Sequence, residues 1–463
     1  KFTVAGLYLP VPELVTLALS VAIALAVWAA MGDSGDRARV GRKPDRHPNP
    51  AHPRLFSSDH LWSGLEGVLG SGVLVKRFAT LMAGRSKGGR GRARVFILAY
   101  HISPTDGRYL KLRASFAAAG FDVAASAPRF EGLSLHESVN GVEPGPLRPT
   151  ALGAWLRARR IATGLVANGE AFEPDVIYAF DPEALPAAVQ LKRRTGARLI
   201  YDAHEFHEDE DPTDPARAAW VKRTELKVAA AIDAFVTVNQ SIAGLYASER
   251  PGFPAALVVH NAVDPPTPAP YDGRLHRAAG IALDQRVLLY QGAFAPLRGL
   301  DRLIAAARLL SADWHVVLMG SGSREAALRG QADTARVSFL PSAPHKELLA
   351  WTRGANLGAL LYEDSGRNQY FCSPNKLWEY PAAGVPILAC DLPEIARVVR
   401  GQQVGFLVPT TATPAHIAAR INGLSDDDLA GTAERARSFA ATETWSNAVE
   451  PLLGALEQLA VKR

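Results

Sequence analysis

From residue 95 onward, short uninterrupted apolar runs alternate with longer stretches of helical periodicity. Strands buried on both faces read as continuous apolar runs, and the crossovers between parallel strands are usually helices. The pattern predicts strands at 94–100 (RVFILAY), 122–126, 175–179, 198–201, 234–238 and 256–260. It predicts helices over 106–119, ended by Gly120, over 149–168 and over about 215–231. A proline-rich stretch, 264–274 (DPPTPAPYDGR), interrupts the series. Beyond it come predicted strands at 287–290, 315–319, 337–340, 357–361 and 385–389. Helices are predicted over 301–310, from Arg324, from Lys346, and over 445–460. The expected architecture is α/β: one half over 94–266, a second over 267–440, and a terminal segment, 441–463, packing back toward the first. Two such halves face a cleft, and ligands of such sheets bind beyond the C-terminal ends of the strands.

The start of the chain reads differently. Residues 14–31 (LVTLALSVAIALAVWAAM) carry no charge, and about 20 apolar residues make a membrane-spanning helix. A membrane helix is therefore expected within 1–32, against the alternatives of a cleaved signal or a packed hydrophobic helix. Arg37, Arg39, Arg42, Lys43, Arg46 and Arg54 follow it, which puts the catalytic body in the cytoplasm and the chain, single-pass, in the inner (plasma) membrane. Residues 33–93 are expected to form a basic linker. Within it, residues 61–82 suit an amphipathic helix, either on an anionic membrane surface or against the body.

Charge follows the same division. Residues 33–94 hold 13 Lys/Arg against 5 Asp/Glu, more than the whole chain's net +5. The rest carries no basic footprint for nucleic acid. Two cysteines, Cys372 and Cys390, build neither a disulfide framework nor a zinc pattern.

Candidate chemistry concentrates in SPNKLWEYPAAGVPILACDLPEI (373–395). Pro374 and Asn375 suit a helix entry, whose outward N–H groups hold phosphate. Lys376 adds a cation. Glu379, one turn on, offers a carboxylate to the hydroxyls of a ribose. A solvated helix face is the plainer alternative for the pair.

The whole string resembles the donor-binding segment of the family 4 retaining glycosyltransferases, and the resemblance spans roughly residues 95–440. It implies the glycosyltransferase-B fold, two Rossmann-like domains facing a cleft. YQGAFAPLRGLDRLI (290–304) resembles the family's glycine loop, in which Gly292 allows close backbone approach and Arg298 meets the donor diphosphate. MGSGSREAAL (319–328) resembles the turn near the nucleotide and includes Gly320. Two positions depart from the family: Phe371 stands where a Glu-x7-Glu pair has its first Glu, and Ala293 where many members carry Arg. Asn368, Tyr370 and Ser373 are then the local candidates for the sugar hydroxyls.

In the first half, YDAHEFHEDEDP (201–212) follows a predicted strand, which puts His204 and Glu205 at the cleft. The resemblance gives His204 the role of facing the donor sugar. A metal site lacks the HExxH spacing, and helix-entry acidity is the bland reading of 208–211. HISPTDGR (101–108) puts His101, Asp106, Gly107 and Arg108 at the cleft edge, with an N-cap as the alternative for Asp106. HNAVD (260–264) resembles the element leading into the hinge.

The resemblance implies transfer of a hexosyl-type sugar from a nucleoside-diphosphate sugar to a glycan or lipid-linked acceptor, with retention of configuration. Catalysis is expected from His204, Arg298 and Lys376, and donor binding from Gly292, Gly320, Ser373, Asn375 and Glu379. No DxD-type motif is present in a suitable loop, so no metal and no cofactor beyond the donor are expected. A nucleotide-sugar epimerase of the same fold and a non-catalytic nucleotide-binding scaffold are the alternatives. A NAD-dependent oxidoreductase is disfavoured, because no GxGxxG follows a strand.

Overall fold

The computed structural model describes residues 2–4, 7–9 and 92–461, apart from 105, 146–149, 211, 212 and 268. The apolar run 14–31, the linker and the 61–82 segment lie outside the described residues. Among the described residues no helix is long and apolar enough to cross a membrane. The short strands β1 (Phe2–Val4) and β2 (Leu7–Leu9) pair with each other.

The body is two parallel sheets. The first contains β3 (Arg94–Leu98), β4 (Asp122–Pro128), β5 (Val139–Val142), β6 (Val176–Phe180), β7 (Arg198–Ala203), β8 (Ala234–Thr237) and β9 (Ala256–Val258). Its order is β5-β4-β3-β6-β7-β8-β9. The second contains β10 (Arg286–Gln291), β11 (Trp314–Met319), β12 (Val337–Leu340), β13 (Leu357–Leu360), β14 (Ile387–Cys390) and β15 (Gly405–Val408), in the order β12-β11-β10-β13-β14-β15. Both are Rossmann-like. Strand order reverses between β3 and β6 and again between β10 and β13, which are the crevices where such sheets take ligands. Every residue of β6 and β11 is buried, as strands covered by helices on both faces must be.

The final helix, Trp445–Val461, crosses to the first sheet. Trp445, Val449, Leu452 and Leu456 share a core with Val95, Tyr109 and Phe116. Trp445 Nε1 donates to Ser115 Oγ at 2.8 Å, and the Ser446 amide donates to Asp264 at 3.0 Å. Lys111 donates to the carbonyls of Asn261 (3.1 Å) and Ala262 (2.7 Å), tying the first half to the segment that leaves it.

The structure adds elements that the sequence pattern does not predict, among them β5, β15 and the helices Gln240–Glu249, Pro393–Gly401, Pro414–Asn422 and Asp426–Thr442, and it differs in two further respects. Arg108 does not stand at the cleft edge. It is 6% exposed, and donates to both Asp202 oxygens (2.9 and 3.0 Å) and to Asn261 Oδ1 (3.0 Å). Asp106 takes the N-cap alternative, accepting from Tyr109 N–H at 3.0 Å. The helix Asp181–Thr195 adds an element that the pattern does not announce. It begins directly at the end of β6, with Asp181 at φ 62 and Pro182 following. No polar loop punctuates the join, and Pro186 lies inside the helix.

Candidate functional site

The loops after β10 and β11 touch each other through glycine. A Cβ on Gly320 would fall 1.9 Å from the Gly292 carbonyl oxygen, so only glycine fits there. Gly292 has φ 117, and a Cβ on it would stand 2.9 Å from Lys376 Nζ. The backbone of the first loop thus runs directly beside a cation.

Lys376 opens the seven-residue helix Lys376–Ala382 and is buried. Its Nζ lies 3.4 Å from Tyr362 Oη and 4.9 Å above the Tyr290 ring. Arg298 covers the Tyr362 ring at 4.3 Å. Two cations therefore converge on one buried tyrosine, each held by a π face rather than by a carboxylate. Among the described residues neither Arg298 nor Lys376 has a carboxylate oxygen within 4.0 Å. Burial works against the Arg298 charge, but Tyr362, Tyr290 and Glu205 outweigh it and raise its pKa. Such a pair suits a polyanion that supplies the missing negative charge.

Glu379 lies one turn along and accepts from Gln291 Nε2 at 2.8 Å. The Gln291 oxygen in turn accepts from Thr352 Oγ1 at 2.7 Å. Glu379 also raises the pKa of Lys111 and of His345, although burial lowers both overall, Lys111 to about 7. The His345 ring comes 3.1 Å from where a Gly107 Cβ would be, so here the second half touches the first.

Ser373 is buried and bonded within the chain. The Ser373 hydroxyl accepts from Trp378 Nε1 at 3.3 Å and its carbonyl from Asn261 at 3.2 Å. Asn375 is exposed and forms no side-chain cap. Tyr370 is 39% exposed. Burial pushes the Cys372 thiol up to about 12, which keeps it protonated.

Across the cleft, His204 follows β7, and its ring packs against Phe180 and His207. Glu205 reaches the second half: its Oε2 accepts from Asn368 Nδ2 at 2.9 Å. Further bonds close the same seam. Asn239 donates to the Phe371 carbonyl at 2.7 Å, the Ser241 amide to Glu394 at 3.1 Å, and Arg367 to Asp209 at 2.6 and 3.1 Å. The structure thus brings Gly292, Gly320, Arg298, Lys376 and Glu379 together on the second half. His204 stands beside Glu205 on the opposite wall.

A recess of about 340 Å³ opens next to the glycine contact. It is lined by Gly320, Ser321, Glu325, Arg329, Leu340, Pro341 and Ser342. A second, of about 480 Å³ around Val142, Leu156 and Arg160, shares no residue with this site. Sequence reasoning missed Tyr362, Gln291 and Thr352. Gln291 lies inside the 290–304 string without being singled out there, and all three matter because the sheet sets them beside Arg298, Lys376 and Glu379.

Residues 107–262 match the family described as "Glycosyl transferase 4-like domain", and residues 285–427 match "Glycosyl transferases group 1". A D-inositol 3-phosphate glycosyltransferase of Acidothermus cellulolyticus is 27% identical over 371 residues, 73% of this chain and 80% of that protein. One from Jonesia denitrificans is 28% identical over 205 residues, 40% of this chain; the match spans less than half, 46%, of that relative. In fold, Anabaena Alr3699/HepE, solved in complex with UDP, is similar with a TM-score of 0.61 at 16% identity. That likeness covers 79% of this chain and 100% of the other.

Proposed function

We propose, for a chain that belongs to the family 4 glycosyltransferases and has the glycosyltransferase-B fold, that it moves a sugar from a nucleoside-diphosphate donor to a hydroxyl acceptor with retention of configuration. The observation that carries this reading is the convergence of Arg298 and Lys376 on Tyr362, with no carboxylate oxygen within 4.0 Å of either among the described residues. Transfer breaks the anomeric C–O bond and leaves its electron pair on the diphosphate. Preorganised cations facing that growing charge lower the barrier most. The recess beside Gly320 suits a nucleobase, and Glu379 the ribose hydroxyls. The UDP bound by the Anabaena protein makes uridine the first base to test.

In this reading His204 faces the donor sugar. Retention follows from attack on the face that the diphosphate leaves: the acceptor oxygen bonds to the anomeric carbon, and its proton passes to the departing phosphate oxygen. The acceptor is a glycan or lipid-linked hydroxyl, a hexose is the sugar, and no metal takes part in the transfer. The apolar run 14–31 and the basic residues after it support a membrane anchor with the catalytic body on the cytoplasmic side.

Thermal-shift titration of the full chain with UDP, GDP and their hexose conjugates tests the donor reading, because a ligand that binds the folded state raises Tm. A clear rise with one nucleotide, lost in Arg298→Ala, is the expected result. No rise with any nucleotide sinks it. Proton NMR of the first-formed product tests retention, and donor conversion without acceptor would point to an epimerase instead.

A further inference from the structure

Strands β6 and β7 end side by side, and each delivers a ligand-type side chain to the same spot: Asp181 from the first, His204 from the second. The single turn His207–Asp209 folds His207 back onto both. His204 Nε2 lies 3.8 Å and His207 Nε2 3.7 Å from one oxygen, Asp181 Oδ1. The three ligand atoms all lie within 4.8 Å of one another. These separations are too long for hydrogen bonds. They come close to the edge of a tetrahedral shell, in which nitrogen and oxygen ligands at ~2.1 Å from zinc stand about 3.4 Å apart. The imidazole planes cross at 89°, so the rings converge edge-on rather than stack.

A second observation is independent of that spacing. His207 is 4% exposed, and its buried Nε2 has no hydrogen-bond partner. Its other nitrogen, Nδ1, faces Glu210 Oε2 at 3.4 Å. An imidazole held by a carboxylate on one nitrogen, with the other aimed at further ligands, is the arrangement that orients metal-bound histidine. Asp181 also holds φ 62, a strained conformation for a residue with a side chain. Glu183 and Glu210 add negative charge around it.

We propose that Asp181, His204 and His207 bind a divalent transition-metal ion of the zinc class, with Glu210 orienting His207. His204 and Asp181 are 32% and 23% exposed, which leaves an open position for water. The loop's own spacing does not announce this site, because its third ligand comes from a different strand. The ion takes no part in sugar transfer. It draws on the imidazole assigned to the donor sugar, so uptake slows transfer, and a chelator restores it. Uptake itself is measured without donor and stands whether or not the transfer reading does.

The test uses the full chain, stripped with a chelator and titrated calorimetrically with Zn(II) alone, with Co(II) absorption as the ligand-sensitive probe. One ion per chain is expected at this site. Asp181→Asn and His207→Gln should each weaken binding at least 100-fold, and Glu210→Gln about tenfold. Asn tolerates the left-handed backbone at 181, and circular dichroism checks each fold. If a ligand variant fails to fold, Glu210→Gln still decides. No uptake by the wild type, or uptake as tight in all the folded variants, overturns the proposal.

Discussion

Asn368 in the second half holds Glu205 in the first: its Nδ2 donates to the carboxylate at 2.9 Å, and its Oδ1 accepts from the Phe206 amide at 2.9 Å. Both groups of one buried amide are spent on the opposite wall of the cleft. The wall they hold carries His204, and the Glu205 charge helps to raise the pKa of Arg298 on the other wall. The seam and the candidate chemistry are therefore mechanically linked. Asn368→Ala should lower kcat/KM by ~10- to 100-fold, the loss expected when a buried charge-assisted bond of ~1.5–3 kcal/mol is removed. Asn368→Asp should do at least as much harm, because it sets a carboxylate against Glu205. Small-angle scattering of the free protein should show a more open shape in both. Unchanged kinetics and shape would separate the seam from function.

Arg298→Ala and Lys376→Ala should each cut kcat by ~10²–10³, the scale of removing one preorganised donor from a developing anion. Lys376→Arg should recover little, since Nζ already lies only 2.9 Å from where a Cβ on Gly292 would be, which leaves little room for a guanidinium. Steady-state kinetics with saturating donor check both. Undiminished turnover in either alanine variant contradicts the assigned role.

Gly320→Ala should destabilise the protein by ~1–3 kcal/mol, the usual cost of overpacking, because the new methyl would meet the Gly292 carbonyl at 1.9 Å. Gly330→Ala is the control. Nothing lies within 4 Å of its added methyl and it is helical, so it should stabilise by up to ~1 kcal/mol. Urea unfolding of the two variants measures the contrast, and equal effects would refute the packing account.

Lys111 makes stability depend on pH. Burial, with Arg108 adding to it, lowers its pKa from 10.5 to about 7, while Glu379 and Asp264 partly offset the shift. Between about pH 7 and 10.5 the unfolded chain binds this proton more strongly than the folded one does, so the contribution to stability rises with pH across that window and levels off below it. Lys111→Met removes the group. Urea unfolding at pH 7 and pH 9 should show the wild type gaining on the variant at the higher pH. A constant difference would mean that the ammonium is not displaced.

Most strands of both sheets were legible because each is a local burial pattern, whereas the edge strands β5 and β15, only partly buried, were not. A strand covered on both faces is apolar at every position, as β6 and β11 are. The glycine and lysine loops were legible for another reason: Gly292, Gly320, Arg298, Lys376 and Glu379 lie in contiguous strings, and each string is one turn of backbone. Arg108 misled because a cation in a loop-to-helix segment looks the same whether it faces solvent or a buried carboxylate 94 residues away. Tyr362 ends the string 339–362, and nothing in that string's local pattern singles out its ring as the meeting point of two cations.

The α/β class, the two-half organisation and most of the cluster of cations and glycines on the second half can be read from residue order, since these depend on periodicities of 2 and 3.6 residues and on short contiguous motifs. That Asp181 meets His204 and His207, that Asn368 holds Glu205 across 163 residues, and that Lys111 packs over the Trp445 ring came only with the tertiary structure. Those outcomes depend on strand order and on how two sheets dock. No local pattern encodes either, because the groups concerned become neighbours only when β6 lies beside β7 and the second half closes on the first.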